Sequence, residues 1–165
     1  MSNQNKKNNI VVNVLFIVFI IVVGLVIFKG FGGSASSPLS TNQQNKNMPP
    51  KPTTLEMVTT KEGSGETAKA GDRVSMNYTG KLWSSGTVFD SNVDPKFNHV
   101  KPFEFTLGAG EVISGWDVGI VGMKEGEKRT LTIPSHMAYG AGGRPGVIPP
   151  DSVLVFDVEL VKILK

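Results

Sequence analysis

Four runs of alternating apolar and polar residues constrain the fold of this chain more than any other feature of its sequence. In the run 73–83, Val74, Met76 and Tyr78 fall on one face of an extended chain. Alternation with a period of two is typical of strands in an antiparallel sheet that have one buried face. The other runs span residues 103–107, 127–133 and 154–160. The sequence therefore predicts a largely antiparallel β domain.

A single short helix is predicted between the second and the third of these runs. Four large apolar residues recur there at helical spacing, with glycines on both sides of the segment: Ile113, Trp116, Ile120 and Met123. A helix with one apolar face is expected to pack on one face of the sheet. This combination is an α+β architecture.

The segment Ile10–Phe28 is apolar over nineteen residues and is interrupted only by Asn13 and Gly24. A helix of this length would be roughly 28 Å long, close to the ~30 Å hydrocarbon core of a bilayer. A cleaved secretory signal is one alternative, but its apolar region usually runs about 7–15 residues. A buried core helix is another, but it fits neither the length nor the lack of a polar face. We therefore expect an uncleaved transmembrane anchor.

The composition on either side of this anchor indicates the domain boundaries. Four segments result: a short tail at 1–9, the anchor at 10–28, a flexible linker rich in Gly, Ser, Asn and Pro at 29–53, and a folded domain at 54–165. Lys6 and Lys7 closely precede the anchor, and positive charge favours the cytoplasmic side. We expect a single-pass membrane protein with a cytoplasmic N-terminus and its folded domain on the extracytoplasmic or lumenal side.

The composition argues against several classes of function. Cysteine is absent and histidine occurs only at His99 and His136, so neither a Cys-based metal site nor a His-dependent triad is expected. Five of the 17 basic residues precede Glu56, which leaves 12 against 14 acidic residues and a charge of about −2 on the remainder. A nucleic-acid binder usually presents a basic surface, and the glycine-rich stretches lack the spacing of a phosphate loop. We expect no metal, no cofactor and no nucleic-acid partner.

The loop before the last predicted strand is unusually long and apolar for a surface connection. Residues 139–150 contain four glycines and three prolines, together with Tyr139, Val147 and Ile148. Ordinary surface connections are short and polar. A loop that presents aromatic and apolar side chains against a sheet can close one side of an apolar pocket. The residues therefore predict a concave apolar site.

The motifs of this region, taken together, resemble those of a known enzyme family. The stretches are "VSMNYTGKL", "TVFDSN" and "KPFEFTLGAGEVISGWDVGIVGMKEGEKRTLTIPSHMAYGAGGRPGVIPPDSVLVFDVELVKI". In this order and spacing they are similar to the peptidyl-prolyl cis-trans isomerase domain of the FK506-binding (FKBP) family. The resemblance covers about Leu55–Lys165 and neither the anchor nor the linker. It implies a five- to six-stranded antiparallel sheet wrapped around one short helix, with a ligand pocket between them.

The resemblance also implies roles for individual residues. Trp116 would form the floor of the pocket, Tyr139 would hold a substrate carbonyl with its hydroxyl, and Asp90 would bias the polar side electrostatically. These three are the candidate catalytic residues. Ile113 would in addition offer its backbone N–H to a ligand carbonyl. The candidate substrate-binding residues are Tyr78, Phe89, Phe103, Val112, Ile113, Ile148 and Phe156.

A site of this kind implies an enzyme that accelerates rotation about X-Pro bonds during protein folding, without a cofactor. Its partners would be proline-containing protein clients, with FK506- and rapamycin-type macrolides as further ligands, and the domain would act as a monomer. A catalytically weak binding or chaperone module with the same fold is the alternative. Such a module would be expected to have lost Trp116, Phe156 or Asp90, and all three are present.

Two features depart from the family pattern. Ten residues separate Asp90 from Lys101, more than we expect of a minimal member. The basic residue that the family carries near the start of this loop has no clear counterpart, and Lys96 and His99 are the candidates to replace it. Arg144 stands at the tip of the long loop, where compact members often carry other residues, and its effect on client preference stays open at this point.

Overall fold

Six strands and one α-helix make up the part of the chain that the computed structural model describes, residues 48–164. In chain order they are β1 Glu56–Lys61, β2 Arg73–Leu82, β3 Val88–Ser91, β4 Phe103–Thr106, α1 Ser114–Gly119, β5 Lys128–Ile133 and β6 Leu154–Leu164. Every strand pair is antiparallel. The predicted α+β architecture, an antiparallel sheet with one short helix, is confirmed.

Strand β2 pairs with three other strands of the sheet, whose order is β1-β5-β6-β2-β3 with β4 also on β2. Strand β6 pairs along the whole of one edge of β2. On the other edge, β4 pairs with residues 73–76 and β3 pairs with residues 79–81. The two short strands therefore lie end to end along the same edge of β2. The loop that connects them has to cross the gap that they leave on this edge, at residues 77–78.

The alternation in the sequence corresponds to the buried face of the sheet. On β6, for example, Leu154, Phe156 and Val158 are buried and Asp157 is exposed. Burying one large apolar side chain stabilises a fold by roughly 1.5–3 kcal/mol, so a set of this size dominates the stability. The core side chains, each at most 5% exposed, include Val74, Met76, Phe105, Leu107, Trp116, Ile120, Met123, Leu131, Ile133, Leu154, Phe156, Val158 and Leu160.

The alternation on β6 breaks near its end because of an irregularity in the pairing. Met76 pairs with Leu160, but its neighbour Ser75 pairs with Lys162, so Val161 is an extra residue on β6. After this bulge Ile163 faces the core, three residues after Leu160. The strand therefore continues to Leu164, beyond the alternating run 154–160.

Helix α1 packs closely on β5 because two of its residues are glycines. A Cβ on Gly115 would overlap the Cγ2 atom of Ile133, and a Cβ on Gly119 would lie 2.9 Å from the Cδ1 atom of Leu131. Any larger residue at these positions would push the helix away from the sheet. Gly115 and Gly119, both within α1, thus have a packing role, and the helix is as short as the sequence indicated.

Two strands were not among the alternating runs. All six residues of β1 are exposed, so the strand has no buried face and leaves no periodic signal in the sequence. Strand β1 is held by its pairing with β5. Strand β3 has only four residues, too few for a pattern to be recognised.

The predicted tail and anchor, residues 1–28, and most of the predicted linker lie outside the described residues. Residues 47–165 form one compact unit. None of the helices within residues 48–164 has the length and apolar character needed to cross a bilayer.

A buried ion pair links β1, β5 and the end of α1. Glu127, only 4% exposed, accepts hydrogen bonds from Arg129 Nη2 at 2.7 Å and from the Lys124 backbone N–H at 2.9 Å. Thr59 Oγ1 on β1 donates to the same carboxylate at 3.2 Å. Arg129 Nη1 also donates to the carbonyl of Gly119 at 2.7 Å. Each buried charge therefore has several partners, as a buried ion pair requires.

Replacing Glu127 by glutamine is expected to lower the free energy of unfolding at neutral pH by roughly 3 kcal/mol, because Arg129 stays buried without its counter-charge. Burial alone would raise the pKa of Glu127, but the hydrogen bonds from Lys124 and Arg129 outweigh it and hold that pKa below its usual value. A carboxyl with a depressed pKa stabilises the fold above its unfolded pKa and loses this contribution as the pH falls through its folded pKa.

The difference between Glu127→Gln and the unmodified chain should therefore shrink below about pH 4. Urea denaturation followed by tryptophan fluorescence measures the free energy of unfolding of both proteins, once at neutral pH and once below about pH 4. Glu56→Gln, on the exposed strand β1, is the control and should change little. A difference that stays constant between the two pH values would contradict this account.

Candidate active site

Trp116 lies in the first turn of α1 and is surrounded by aromatic rings from three strands. The ring centroids of Tyr78 on β2 and Phe156 on β6 are each 5.3 Å from it, both in an edge-to-face arrangement. On β4, the centroids of Phe105 and Phe103 are 5.8 and 6.3 Å away. Such contacts favour one orientation of the indole beyond the burial of its area.

The indole N–H of Trp116 is buried and has no hydrogen-bond acceptor among the described residues. The side chain is 4% exposed, and apolar or aromatic groups surround it. Trp116 therefore forms a floor that is lined by apolar and aromatic groups and contains one buried donor without a partner among the described residues.

The other predicted pocket residues surround this floor. Phe89 packs edge-to-face on Phe156, with their centroids 5.6 Å apart, and both rings lie so close to Gly80 that a Cβ there would be 2.7 Å from each. Phe103 is 39% exposed. The residues packed against the core but only partly buried, which form the open side of the site, include Tyr78, Phe89, Val112, Ile113 and Tyr139.

The loop before α1 is held by the carboxylate of Asp117, which accepts the backbone N–H groups of Gly108 at 2.8 Å and Gly110 at 3.1 Å. This loop carries Val112 and Ile113. The carbonyl of Ile113 accepts the first bond of the helix, while its N–H has no acceptor among residues 48–164. The site thus presents one free backbone donor beside Trp116.

A polar chain of contacts runs along one edge of the site. Tyr78 Oη donates to Asp90 Oδ2 at 2.8 Å, and His99 Nε2 lies 2.9 Å from Asp90 Oδ1. His99 Nδ1 lies 2.6 Å from the carbonyl oxygen of Phe97. Burial, and next the Asp90 carboxylate, raise the pKa of Tyr78 well above its usual value. The Tyr78 hydroxyl therefore stays protonated as a donor.

Of the two candidates for the basic residue of the family pattern, His99 and not Lys96 lies beside Asp90. Lys96 Nζ pairs with Asp94 at 2.9 Å. The side-chain and backbone hydrogen bonds from Lys96 lower the pKa of Asp94. His99 instead lies beside Asp90, at the edge of the site. A histidine inside a ten-residue loop without periodicity gives no sequence signal for this contact.

Asn92 holds the start of this loop in the gap between β3 and β4. Its side-chain oxygen accepts the backbone N–H of Tyr78 at 2.7 Å, and its amide donates to the carbonyls of Met76 and Lys101 at 2.9 Å each. The side chain thus supplies β2 with the hydrogen bonds that a neighbouring strand would make. Asn92 is 3% exposed, and no pattern in the sequence marks it.

The loop 139–150 closes the opposite side. Arg144 and Ile148 exchange two backbone hydrogen bonds, from Arg144 N to Ile148 O at 2.7 Å and from Ile148 N to Arg144 O at 2.8 Å. Ile148 is 2% exposed and belongs to the core. The Arg144 guanidinium carbon lies 5.5 Å from the centroid of the Tyr139 ring. The short hairpin therefore places both Tyr139 and Ile148 against the cluster.

The ten predicted site residues lie in one continuous region around Trp116. The region combines an apolar aromatic floor, a free N–H at Ile113, the Tyr139 hydroxyl and the Asp90 carboxylate. Within residues 48–164 no three metal-ligating side chains lie together. An arrangement of this kind can bind an apolar ring and hold the polar groups attached to it.

Comparison with known proteins identifies a family. The sequence profile described as FKBP-type peptidyl-prolyl cis-trans isomerase matches residues 64–161. Peptidyl-prolyl cis-trans isomerase FPR2 of Saccharomyces cerevisiae is 56% identical over 96 residues, which cover 58% of this chain and 68% of the yeast protein. The 39 kDa FK506-binding nuclear protein of Drosophila melanogaster is 57% identical over 98 residues, 59% of this chain. Those residues span only about a quarter, 26%, of the fly protein.

A solved structure shows the same fold. The crystal structure of AtFKBP13 superposes with a TM-score of 0.60 at 40% sequence identity. The superposition covers 69% of this chain and 96% of that protein.

The placement of Tyr139 and Ile148 depends on one glycine. Gly143 has φ 59° and ψ −151°, a conformation that is essentially restricted to glycine, and a Cβ there would lie 2.7 Å from the carbonyl carbon of Pro149. Gly143→Ala is expected to lower the free energy of unfolding by about 2 kcal/mol and to speed amide exchange at Arg144 and Ile148.

Gly142 provides the matched control for this prediction. A Cβ on Gly142 meets nothing within 4 Å, so Gly142→Ala should leave both quantities nearly unchanged. Hydrogen exchange followed by NMR and urea denaturation measure them. Equal effects of the two substitutions would show that the hairpin does not depend on Gly143.

Proposed function

This chain belongs to the family of FKBP-type peptidyl-prolyl cis-trans isomerases, and we propose that it accelerates rotation about X-Pro bonds in client proteins beside a membrane. The family profile matches residues 64–161, which lie within the predicted isomerase domain at 54–165. The aromatic cluster around Trp116, open on one side, is the observation that carries the proposal. We expect the domain to act as a monomer.

The proline ring of the client lies on the indole of Trp116 in this proposal. Tyr78 and Phe103, which are partly exposed, and Phe156, which is buried, surround the indole, and the proline ring enters from the side of Tyr78 and Phe103. Proline lacks a backbone N–H, so it can enter an apolar floor without leaving a donor unsatisfied.

Isomerisation requires loss of amide resonance and has an uncatalysed barrier near ~20 kcal/mol. An apolar site stabilises the charge-separated planar amide less than water does, so the twisted amide becomes less costly by comparison. A barrier lower by roughly 5 kcal/mol would correspond to about four decades in rate. No covalent step is needed.

Two hydrogen-bond donors hold the polar groups of the client on either side of the proline. The free N–H of Ile113 binds one carbonyl, and the hydroxyl of Tyr139 binds another. Asp90, fixed by Tyr78 and His99, sets the electrostatic potential at the edge where the amide rotates. Asp90 acts as a fixed charge and not as a base, because rotation about an X-Pro bond transfers no proton.

FK506- and rapamycin-type macrolides are further ligands in this proposal. The Drosophila relative is named an FK506-binding protein, and the apolar floor with the Ile113 donor suits a cyclic ligand that carries carbonyl groups.

The membrane context rests on the sequence of residues 10–28. An apolar segment of nineteen residues is long enough to span a bilayer. Lys6 and Lys7 favour a cytoplasmic N-terminus. Residues 29–53 would then let the isomerase domain reach proline-containing clients on the extracytoplasmic or lumenal side.

Trp116→Leu is expected to reduce kcat/KM for an X-Pro peptide at least about tenfold, since the flat surface under the proline ring is lost. The full chain, purified in a mild detergent, is assayed by proline-limited refolding and by peptide isomerisation, with and without FK506. Trp83→Leu is the matched control, because Trp83 lies at the end of β2 outside the cluster. If the Trp116→Leu protein does not fold, Phe103→Ala, at the exposed rim, tests the same site.

Equal activity of the Trp116→Leu and Trp83→Leu proteins would contradict the site. Tight FK506 binding by the unmodified chain without any acceleration would favour the alternative, a binding or chaperone module with the same fold.

The anchor is tested separately. The chain should stay in the membrane pellet after an alkaline carbonate wash, and protease added to the outside of spheroplasts should remove the domain. Ile20→Lys, at the middle of the apolar segment, should release a large fraction because a central lysine costs roughly 2.5–3.5 kcal/mol. Release of the unmodified chain by the wash would overturn the anchor. A domain that external protease cannot reach would overturn the orientation.

A further inference from the structure

We propose that Arg144 makes the site prefer clients that carry an acidic side chain within two residues of the isomerised proline. This inference rests on the proposed isomerase function and adds a preference among its substrates. It concerns the tip of the loop 139–150, beside the apolar floor.

The guanidinium group of Arg144 lies over a ring of the candidate site. Its central carbon is 5.5 Å from the centroid of Tyr139, within the range of a cation–π contact. Arg144 is otherwise exposed to solvent. A guanidinium that stacks on a ring keeps its N–H groups free at its edge, where they can reach a carboxylate in a bidentate manner.

The charge of Arg144 has no counter-ion within the described part of the chain. Salt bridges there join other pairs, and none includes Arg144. The nearby acid of the site, Asp90, already contacts Tyr78 and His99. The N–H donors of Arg144 therefore remain available to a group that comes from outside.

The backbone holds Arg144 in place without help from its side chain. Its N–H and carbonyl both pair with Ile148, which is buried in the core, and Pro145 follows directly. When a client binds, Arg144 therefore loses less conformational entropy than an arginine on a mobile loop would lose.

The charge of Arg144 also reaches the polar edge of the site. Burial and the Asp90 carboxylate raise the pKa of Tyr78, whereas the positive charge of Arg144 acts in the opposite direction. A client carboxylate that pairs with Arg144 would lie beside Tyr139, whose ring the guanidinium covers. Since the guanidinium is exposed, the gain is that of a surface ion pair, about two- to fivefold in kcat/KM.

The test compares pairs of proline peptides that differ only by Glu or Gln. The changed residue is placed one or two positions before or after the proline, which gives four pairs. NMR exchange spectroscopy on the full chain in detergent measures isomerisation without a coupling protease. At one or more positions the Glu peptide should have a kcat/KM about two- to fivefold higher than its Gln partner, and about 0.5 M salt should remove most of the difference.

Three variants identify the residue responsible. The Glu/Gln ratio should fall to about 1 in Arg144→Gln, fall below 1 in Arg144→Glu, and stay partly raised in Arg144→Lys. Lys61→Gln, which removes a positive charge on β1 at the opposite end of the sheet from β3, should keep the ratio of the unmodified chain. Because the ratio is taken within one variant, a general loss of activity or stability cancels.

A ratio near 1 at all four positions in the unmodified chain, or the same raised ratio in Arg144→Gln, would overturn the proposal. The ratio of dissociation constants from NMR titration of the same peptides gives a second reading that does not need turnover. If the isomerase function fails, no Gln peptide will be catalysed. The ratio of the dissociation constants of the Glu and Gln peptides would then decide the role of Arg144.

Discussion

The close packing of α1 on β5 is the contact on which the rest of the structure depends. Gly115 and Gly119 place no side chain between the helix and the sheet, so the helix lies directly on Ile133 and Leu131. Trp116, next to the first glycine, is thereby held among rings from β2, β4 and β6. A Cβ at either glycine would lift the helix and move the floor of the site with it. The stability of the core and the shape of the site are therefore set by the same two positions.

Regular elements and loops contribute different parts of the site. The apolar floor comes from β2, β4, β6 and α1, whose backbones are fixed by hydrogen bonding and core packing. The charged groups at its edge belong to loops or lie beside them: His99 contacts Asp90 from one side, and Arg144 covers Tyr139 on the other. A rigid floor with an edge built from loops allows the sequence of the edge to vary without a change in the fold. Both departures from the family pattern lie at this edge.

The sequence predicted the parts of the fold that depend on periodic burial. The four alternating runs are strands, and the short helix lies where glycines bound it. Strand β1 could not be found in this way because none of its residues is buried. No pattern in the sequence marks Glu127 as buried, since its burial depends on three-dimensional contacts with Arg129 and Lys124. The resemblance brought the pocket residues together, but the contact between His99 and Asp90 depends on the path of a loop that no pattern in the sequence specifies.

Strand β1 also determines how the folded unit is joined to the residues that precede it. The chain enters the unit through this strand, which lies at the opposite end of the sheet from β3 and contributes no side chain to the core. Trp116 and the rings of Tyr78 and Phe156 around it belong to neither β1 nor β5. The edge at which the preceding residues enter the unit is therefore separate from the aromatic cluster of the candidate site.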